Sequence, residues 1–166
     1  MVCIRSAWLL GAAVLGLHCS EAQAQSADAA PLASKPVLTL AGAQRVLAAA
    51  EHEAARNGWP AVLAVVDAGG WLITLVRMDN APMLASVELA PGKARAAAAF
   101  RKPTQVLENA INQGRAAQLT APGFVQMQGG VPLVVDHQVV GAIGVSADTP
   151  AHDQQIAEAG ARALQP

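Results

Sequence analysis

GGVPLVVDHQVVGAIGVS, residues 129–146, consists of two apolar runs around a short polar segment, and it decides the fold class. Val131–Val135 and Val139–Val145 are rich in β-branched residues, which favours strands. A dinucleotide-binding loop would place its glycines in a turn from a strand into a helix, whereas Gly141 and Gly144 fall inside the second run. The stretch therefore predicts a β-hairpin whose glycines let another element or a ligand approach closely.

A second pair of strands is predicted upstream. Residues 61–67 (AVLAVVD) are apolar up to the final aspartate, which is typical of a central strand covered on both faces. The AGG turn at 68–70 leads into Trp71–Met78 as the partner strand. Asp67 is most simply a turn-forming residue.

Segments with helical character flank these strands. Thr39 is a predicted N-cap for a helix that Gly58 ends, and Pro91-Gly92 predicts a kink or a break in the second helical segment. The predicted helices are 39–57, 84–100, 103–117 and a last helix that starts at 149–150. The resulting order is α-β-β-α-α-β-β-β-α, a single domain of the α/β class and of the α+β type.

The first 24 residues have the pattern of a secretory signal peptide. Arg5 provides a positive charge, and the apolar core that follows is too short for a membrane span. AQA at 22–24 is the small-residue pattern that signal peptidase needs. Cys19 offers lipidation as an alternative, but His18 stands where a lipoprotein signal has a small residue. We expect cleavage after residue 24 and a periplasmic or secreted protein with no stable membrane anchor.

Composition narrows the function classes of the mature chain. Cleavage would remove both cysteines, which excludes disulfides, thiolate metal sites and cysteine nucleophiles. The formal net charge of −1 gives no basis for a nucleic-acid partner. Residues 25–37 are a predicted flexible leader and 38–166 the folded domain. Its core would be built from small side chains, and exposed apolar surface would favour subunit packing, so we expect a homo-oligomer.

Three histidines lie outside the signal peptide, and their spacing does not predict a three-ligand zinc site. We interpret His137 at the hairpin tip and His152 in the last helix as solvated. His52 lies opposite the apolar stripe of the first helix, with Arg45 and Arg56 on the same outer face. This face is either a solvated surface or a site where His52 binds a metal centre and the arginines meet acidic groups.

Two further clusters carry charge, and no catalytic triad, paired-carboxylate motif or nucleophile elbow accompanies them. Arg77 and Asp79 close the second strand, and they are either a buried pair that holds the following loop or a substrate contact. Lys93 and Arg95 lie in an alanine-rich helix, as a solvated edge or as an anion contact.

Three stretches together resemble the GlcG/HbpS family, also called the haem-degrading or DUF336 family: AVLAVVDAGGWLITLVRMDNAP, ELAPGKARAAAAFRKPT and QGGVPLVVDHQVVGAIGVSADTPAHDQQIAEAGARAL. The elements VVDxGG, RMD, GKAR and GGVPLVV occur in the family's order, and the resemblance covers 38–164. It implies an antiparallel sheet of about five strands between helices, and assembly into oligomers.

The resemblance also implies haem as the leading ligand. Some members bind haem or act in redox sensing, and others are encoded with glycolate or propanediol metabolism and have no settled activity. With haem as the ligand, we expect His52 to be the axial ligand of the iron, because histidine is the best iron ligand left in the mature chain. Arg45 and Arg56 would meet the propionates.

Two alternatives to simple haem binding stay open. One is oxidative haem breakdown, and the other is a module or enzyme for a small carboxylate at Arg77, Asp79 and Lys93. Two positions also depart from the family pattern: Asn80 replaces a glycine after RMD, and Ala96 replaces a threonine after KAR. Thr104 remains nearby in sequence as a hydroxyl that could contact a ligand.

Overall fold

The structure is a computed structural model that describes residues 32–165. In chain order the described elements are α1 Leu40–Asn57, β1 Val62–Asp67, β2 Leu72–Arg77, α2 Ser86–Phe100, α3 Thr104–Asn112, a short 3-10 helix Ala116–Thr120, β3 Gly130–Val135, β4 Gln138–Ser146 and α4 Pro150–Arg162. The strands form one antiparallel sheet in the order β2-β1-β4-β3. The α+β fold with an antiparallel sheet is confirmed, with four strands in the described part rather than about five. The predicted signal peptide lies outside the described residues.

The sheet has helices on both faces, and β1 is buried between them. Leu63 and Val65 join the larger core, which includes Ile156 of α4 and residues of α1. Val66 points to the other face and contacts the alanine-rich face of α2, represented by Ala94. Because successive side chains of a strand point to opposite faces, a strand covered on both sides is apolar at every position. The prediction for this strand is confirmed.

A glycine in β4 allows α2 to pack directly on the sheet. A Cβ atom at Gly144 would overlap the carbonyl oxygen of Ala90 and would lie 2.6 Å from the amide nitrogen of Ala94. Backbone of the helix therefore occupies the space that a side chain would fill. This confirms that the strand glycine in the hairpin marks a close approach, and the neighbour is a helix.

Both ends of α1 and the start of α4 match their sequence signals. The Thr39 hydroxyl accepts a hydrogen bond from the Gly42 N–H at 3.1 Å, and Gly58 ends α1 with a left-handed φ of 71°. At the start of α4, the Thr149 hydroxyl accepts from the His152 N–H. These caps were predicted because the residues that form them are adjacent in the chain.

Other helix predictions need correction. α2 runs without a break through Pro91, because its small side chains pack continuously on the sheet and outweigh one missing backbone hydrogen bond. α3 ends at Asn112 rather than near Ala117, because Gly114 adopts a left-handed φ of 100°. Ala96–Ala98, in the alanine-rich part of α2, are buried within the protomer. Among residues 32–165, no helix combines the length and apolar character that crossing a bilayer requires.

Candidate functional site

His152, in the first turn of α4, is held from two directions. Its Nδ1 lies 2.8 Å from Oδ1 of Asp148, one helical turn earlier in the chain. Its ring stacks on the indole of Trp59, which follows α1, with ring centroids 3.6 Å apart and planes 9° from parallel. A carboxylate and an aromatic face together restrict both the position and the rotation of the imidazole.

The second ring nitrogen of His152 faces solvent. Within the described residues, every buried side-chain nitrogen or oxygen has a hydrogen-bond partner. Among residues 32–165, the imidazole forms its hydrogen bond through Nδ1 and none through Nε2, so Nε2 is not a buried atom. The side chain as a whole is 29% exposed. The imidazole is therefore fixed on one side and open on the other.

The electrostatics of this pair favour one tautomer. The hydrogen bond from His152 lowers the pKa of Asp148 below its ordinary value of 3.8. An ionised Asp148 accepts a hydrogen bond from Nδ1–H, which leaves the lone pair of the neutral ring on Nε2. In proteins, a histidine that binds a metal through one ring nitrogen is commonly oriented by a carboxylate that accepts a hydrogen bond from the other ring nitrogen.

A second carboxylate, on α1, joins that helix to α4, the helix that carries this histidine. Glu53 accepts hydrogen bonds from Nε2 of Gln155 and from the guanidinium of Arg56, each at 2.7 Å. The Gln155 hydrogen bond is the largest cause, and the Arg56 hydrogen bond the next, of a lowered pKa of Glu53. We use the name α1–α4 surface for Glu53, Arg56, Trp59, Asp148, His152 and Gln155.

The predicted residues of α1 are placed as follows. His52 and Arg45 are exposed on the outer face of α1, as expected from the helical spacing. Arg56 is also exposed, but its guanidinium is paired with Glu53, so a propionate would compete with that carboxylate for it. The structure thus brings Arg56 to the α1–α4 surface. Within the described residues, the His52 side chain is exposed and forms no hydrogen bond, ion pair or ring contact.

Lys93 is buried rather than solvated. Its Nζ lies 2.6 Å from Oδ2 of Asp153 and donates to the carbonyl oxygen of Val145 at 3.0 Å. The other carboxylate oxygen of Asp153 accepts from the Ala147 N–H at 2.6 Å. Burial raises the pKa of Asp153, and Lys93 opposes that shift. This ion pair joins α2 to the start of α4 and does not present Lys93 to a ligand.

Thr104 is also buried, and it holds the start of β3. Its hydroxyl accepts from the Gly130 N–H at 2.7 Å. Neighbouring Gly129 has a φ of 112°, and its N–H faces Oε1 of Gln154 at 3.3 Å. Thr104 therefore supports the backbone that leads into the hairpin.

Arg77 and Asp79 are both exposed, and no ion pair joins them within residues 32–165. Of the two interpretations given for them above, the buried pair is not formed. Arg95 is exposed on α2, and its Nε approaches the carbonyl oxygen of Gly70 in the β1–β2 turn. The structure separates the buried Lys93 from these exposed charges, so it does not assemble Arg77, Asp79 and Lys93 into one open site.

The sequence analysis interprets His152 as solvated, and the structure adds that its ring contacts Asp148 and Trp59. The spacing of Asp148 and His152, four residues apart, was a usable signal for a side-chain pair. The contact with Trp59 had no local signal, because it depends on how α1 packs against α4. His137 is exposed at the hairpin turn, as expected.

Comparison with known proteins gives consistent matches. Residues 38–162 match the family model described as haem-degrading protein, HbpS-like. Protein GlcG of Escherichia coli K12 is 42% identical over 113 residues, which are 68% of this chain and 84% of that protein.

Two solved structures share the fold. A crystal structure of a double mutant of HbpS from Streptomyces reticuli is 30% identical, covers 95% of this chain and all of that one, and superposes with a TM-score of 0.74. A PduOC:haem complex is 28% identical, covers 78% of this chain and 96% of that one, and has a TM-score of 0.71.

Proposed function

This chain belongs to the HbpS-like family of haem-degrading proteins, and on that basis we propose that it binds haem. The complex of the structural neighbour PduOC with haem supports this ligand. The observation that carries the proposal in this chain is the imidazole of His152, fixed by Asp148 and Trp59 and open at Nε2.

The residues present fit haem better than a bare metal ion. No group of three or more histidine, cysteine, aspartate or glutamate side chains within the described residues is placed to hold a metal. Haem carries four ring nitrogens of its own, so a single protein ligand is enough to hold the iron. We assign that ligand to His152, because the hydrogen bond to Asp148 leaves the lone pair on Nε2 and Trp59 limits ring rotation. His52 is the alternative ligand.

Hemin titration of the purified chain tests both the ligand and the residue. We expect a saturable shift of the Soret band in the wild type and a weaker, altered spectrum for His152→Ala. His52→Ala and His137→Ala are matched controls that remove an imidazole from an exposed position, and we expect both to behave like the wild type. A wild-type spectrum for His152→Ala with a changed one for His52→Ala would transfer the assignment to His52. Absence of saturable binding by the wild type would reject haem.

Export is part of the same proposal. A charged start, a short apolar core and AQA at residues 22–24 support cleavage there and a periplasmic or secreted location. Expression with the native N-terminus, followed by intact-mass measurement of the periplasmic fraction, should give a chain that begins at Gln25. A stable full-length species in the cytoplasm would contradict export.

Self-association is proposed from the exposed apolar side chains. β2 is an edge strand of the described sheet, and Trp71 and Leu72 at its start are 73% and 53% exposed. Leu84, before α2, is also largely exposed. Unpaired strand edges and exposed apolar side chains favour contacts between copies. Light scattering at micromolar concentration should give a mass of at least two chains, and a monomer mass would reject the proposal.

A further inference from the structure

A cleft lined by basic residues lies at the C-terminal end of α2. It has a volume of about 280 Å³ and lies between the β1–β2 turn, the C-terminal end of α2 and the β3–β4 turn. Three basic residues line it, Lys35, Arg101 and His137. The remaining lining residues are polar Gln138 and small or apolar residues such as Ala68. Three separate segments of the chain thus each contribute one residue with a nitrogen-bearing side chain to the lining of the cleft.

The charges of this cleft are not compensated within the described residues. No aspartate or glutamate lines it, and no ion pair in residues 32–165 includes Lys35, Arg101 or His137. Asp67 lines an adjoining groove, but its Oδ1 already accepts hydrogen bonds from two backbone N–H groups of the β1–β2 turn. The chain as a whole has a formal net charge of −1, so the cluster does not follow from a basic composition. Like charges that converge in a cleft attract a counter-ion.

The backbone places two of these side chains at unusual positions. Arg101 is the C-cap of α2 with a φ of 53°, where glycine is the usual residue. His137 has a φ of 61° at the second position of a two-residue turn whose first residue, Asp136, has a φ of 48°. Such turns favour glycine at the second position. At both places a residue with a nitrogen-bearing side chain stands where glycine would cost less conformational energy.

We propose that this cleft is a binding site for a small oxyanion, either a phosphate or the carboxylates of a small organic acid, separate from the α1–α4 surface. Guanidinium pairs with two oxygens of such a group at once, and ammonium adds a point charge from another direction. A cleft of about 280 Å³ lies at the lower end of small-molecule sites, which suits an anion of a few carbon atoms.

The backbone conformations supply variants that remove a side chain of the cleft without harming the fold: Arg101→Gly removes a charge, and His137→Gly removes an imidazole. Arg101→Gly and His137→Gly both place glycine at a positive φ, so each should unfold at the same temperature as the wild type or above it. Lys102→Ala is the matched control, because it removes a charge from the next residue, which lines a different groove.

Calorimetric titration of the full chain with inorganic phosphate and with citrate tests the site. We expect at least one of these anions to give a saturable binding curve. Arg101→Gly should weaken the binding of that anion by roughly tenfold, as the loss of a charge-assisted hydrogen bond predicts. Saturation by phosphate or by citrate identifies the oxyanion chemistry. Binding should persist in His152→Ala, so a failure of haem binding leaves this result intact. The proposal is overturned if neither anion saturates, if Arg101→Gly binds as the wild type does, or if Lys102→Ala loses as much affinity as Arg101→Gly.

Discussion

His152 and Asp153 are neighbours in the first turn of α4, yet their side chains form ion pairs in opposite environments. The Lys93–Asp153 pair is enclosed between α2, β4 and α4, with side chains 2% and 6% exposed. The His152–Asp148 pair lies at the surface, with side chains 29% and 47% exposed. The two pairs have nearly the same contact distance, 2.6 Å and 2.8 Å.

The difference shows that burial decides what an ion pair does. A buried pair is strongly coupled to folding, because removal of one partner leaves the other charge without water or a counter-charge. A surface pair contributes little to stability, since water screens it and replaces either partner. Its weak coupling to the fold leaves the surface histidine free to exchange water for a ligand.

The largest effect is expected from Lys93→Met, which breaks the buried pair. It leaves the Asp153 carboxyl enclosed without its cation, and we expect a loss of about 3–5 kcal/mol in the free energy of unfolding. Urea denaturation measures it. Arg95→Met, two residues further along α2 and exposed, should change stability by no more than about 0.5 kcal/mol. Equal effects of the two substitutions would mean that burial does not distinguish them.

Thr104→Val, at another buried position, is expected to lower stability by less than Lys93→Met does. The substitution keeps the shape of the side chain but leaves the N–H of Gly130 without its acceptor in a buried place. We expect a loss of about 1–3 kcal/mol in the same denaturation experiment. Thr104→Ser keeps the hydroxyl and should recover part of that loss; a serine variant less stable than the valine variant would assign the role of Thr104 to packing instead.

On the surface side, His152→Ala should cost about 1 kcal/mol, which combines an exposed ion pair with a ring stack on Trp59. Thermal unfolding of the protein without haem measures it. The comparison between the two pairs predicts that this loss is well below that of Lys93→Met. A loss as large as that of the buried pair would show that His152 is a structural residue and would weaken its assignment as a ligand.

The smallest effect concerns the titration of Asp148. The pKa of this carboxyl lies below its ordinary value of 3.8, chiefly because His152 donates a hydrogen bond to it. A carboxyl with a pKa lowered by folding stabilises the folded state above its ordinary pKa, and that contribution is lost as the pH falls through the folded pKa. In His152→Ala, carbon NMR of the carboxyl should show the pKa of Asp148 rising towards 3.8. His137→Ala should leave it unchanged, and an unchanged pKa in both variants would place the cause elsewhere.

Much of the fold could be predicted because its signals are local. Thr39 and Gly58 bound α1, and the two apolar runs of the hairpin around a short polar segment identify β3 and β4, through residues a few positions apart. The candidate site could be predicted only in outline. His52, Arg45 and Arg56 share a helix face as expected, whereas the partners of His152 come from another element.

The sequence by itself determined the order and type of most elements, the family and the set of side chains able to bind iron. Only the tertiary structure decided that Lys93 is enclosed by Asp153, 60 residues away, and that His152 is oriented against Trp59. The physical reason is the distance along the chain over which each kind of interaction acts. Caps, turns and periodicity act between residues close in the chain, but the dielectric environment of a charge depends on which distant elements cover it, and burial fixes the role of each charge.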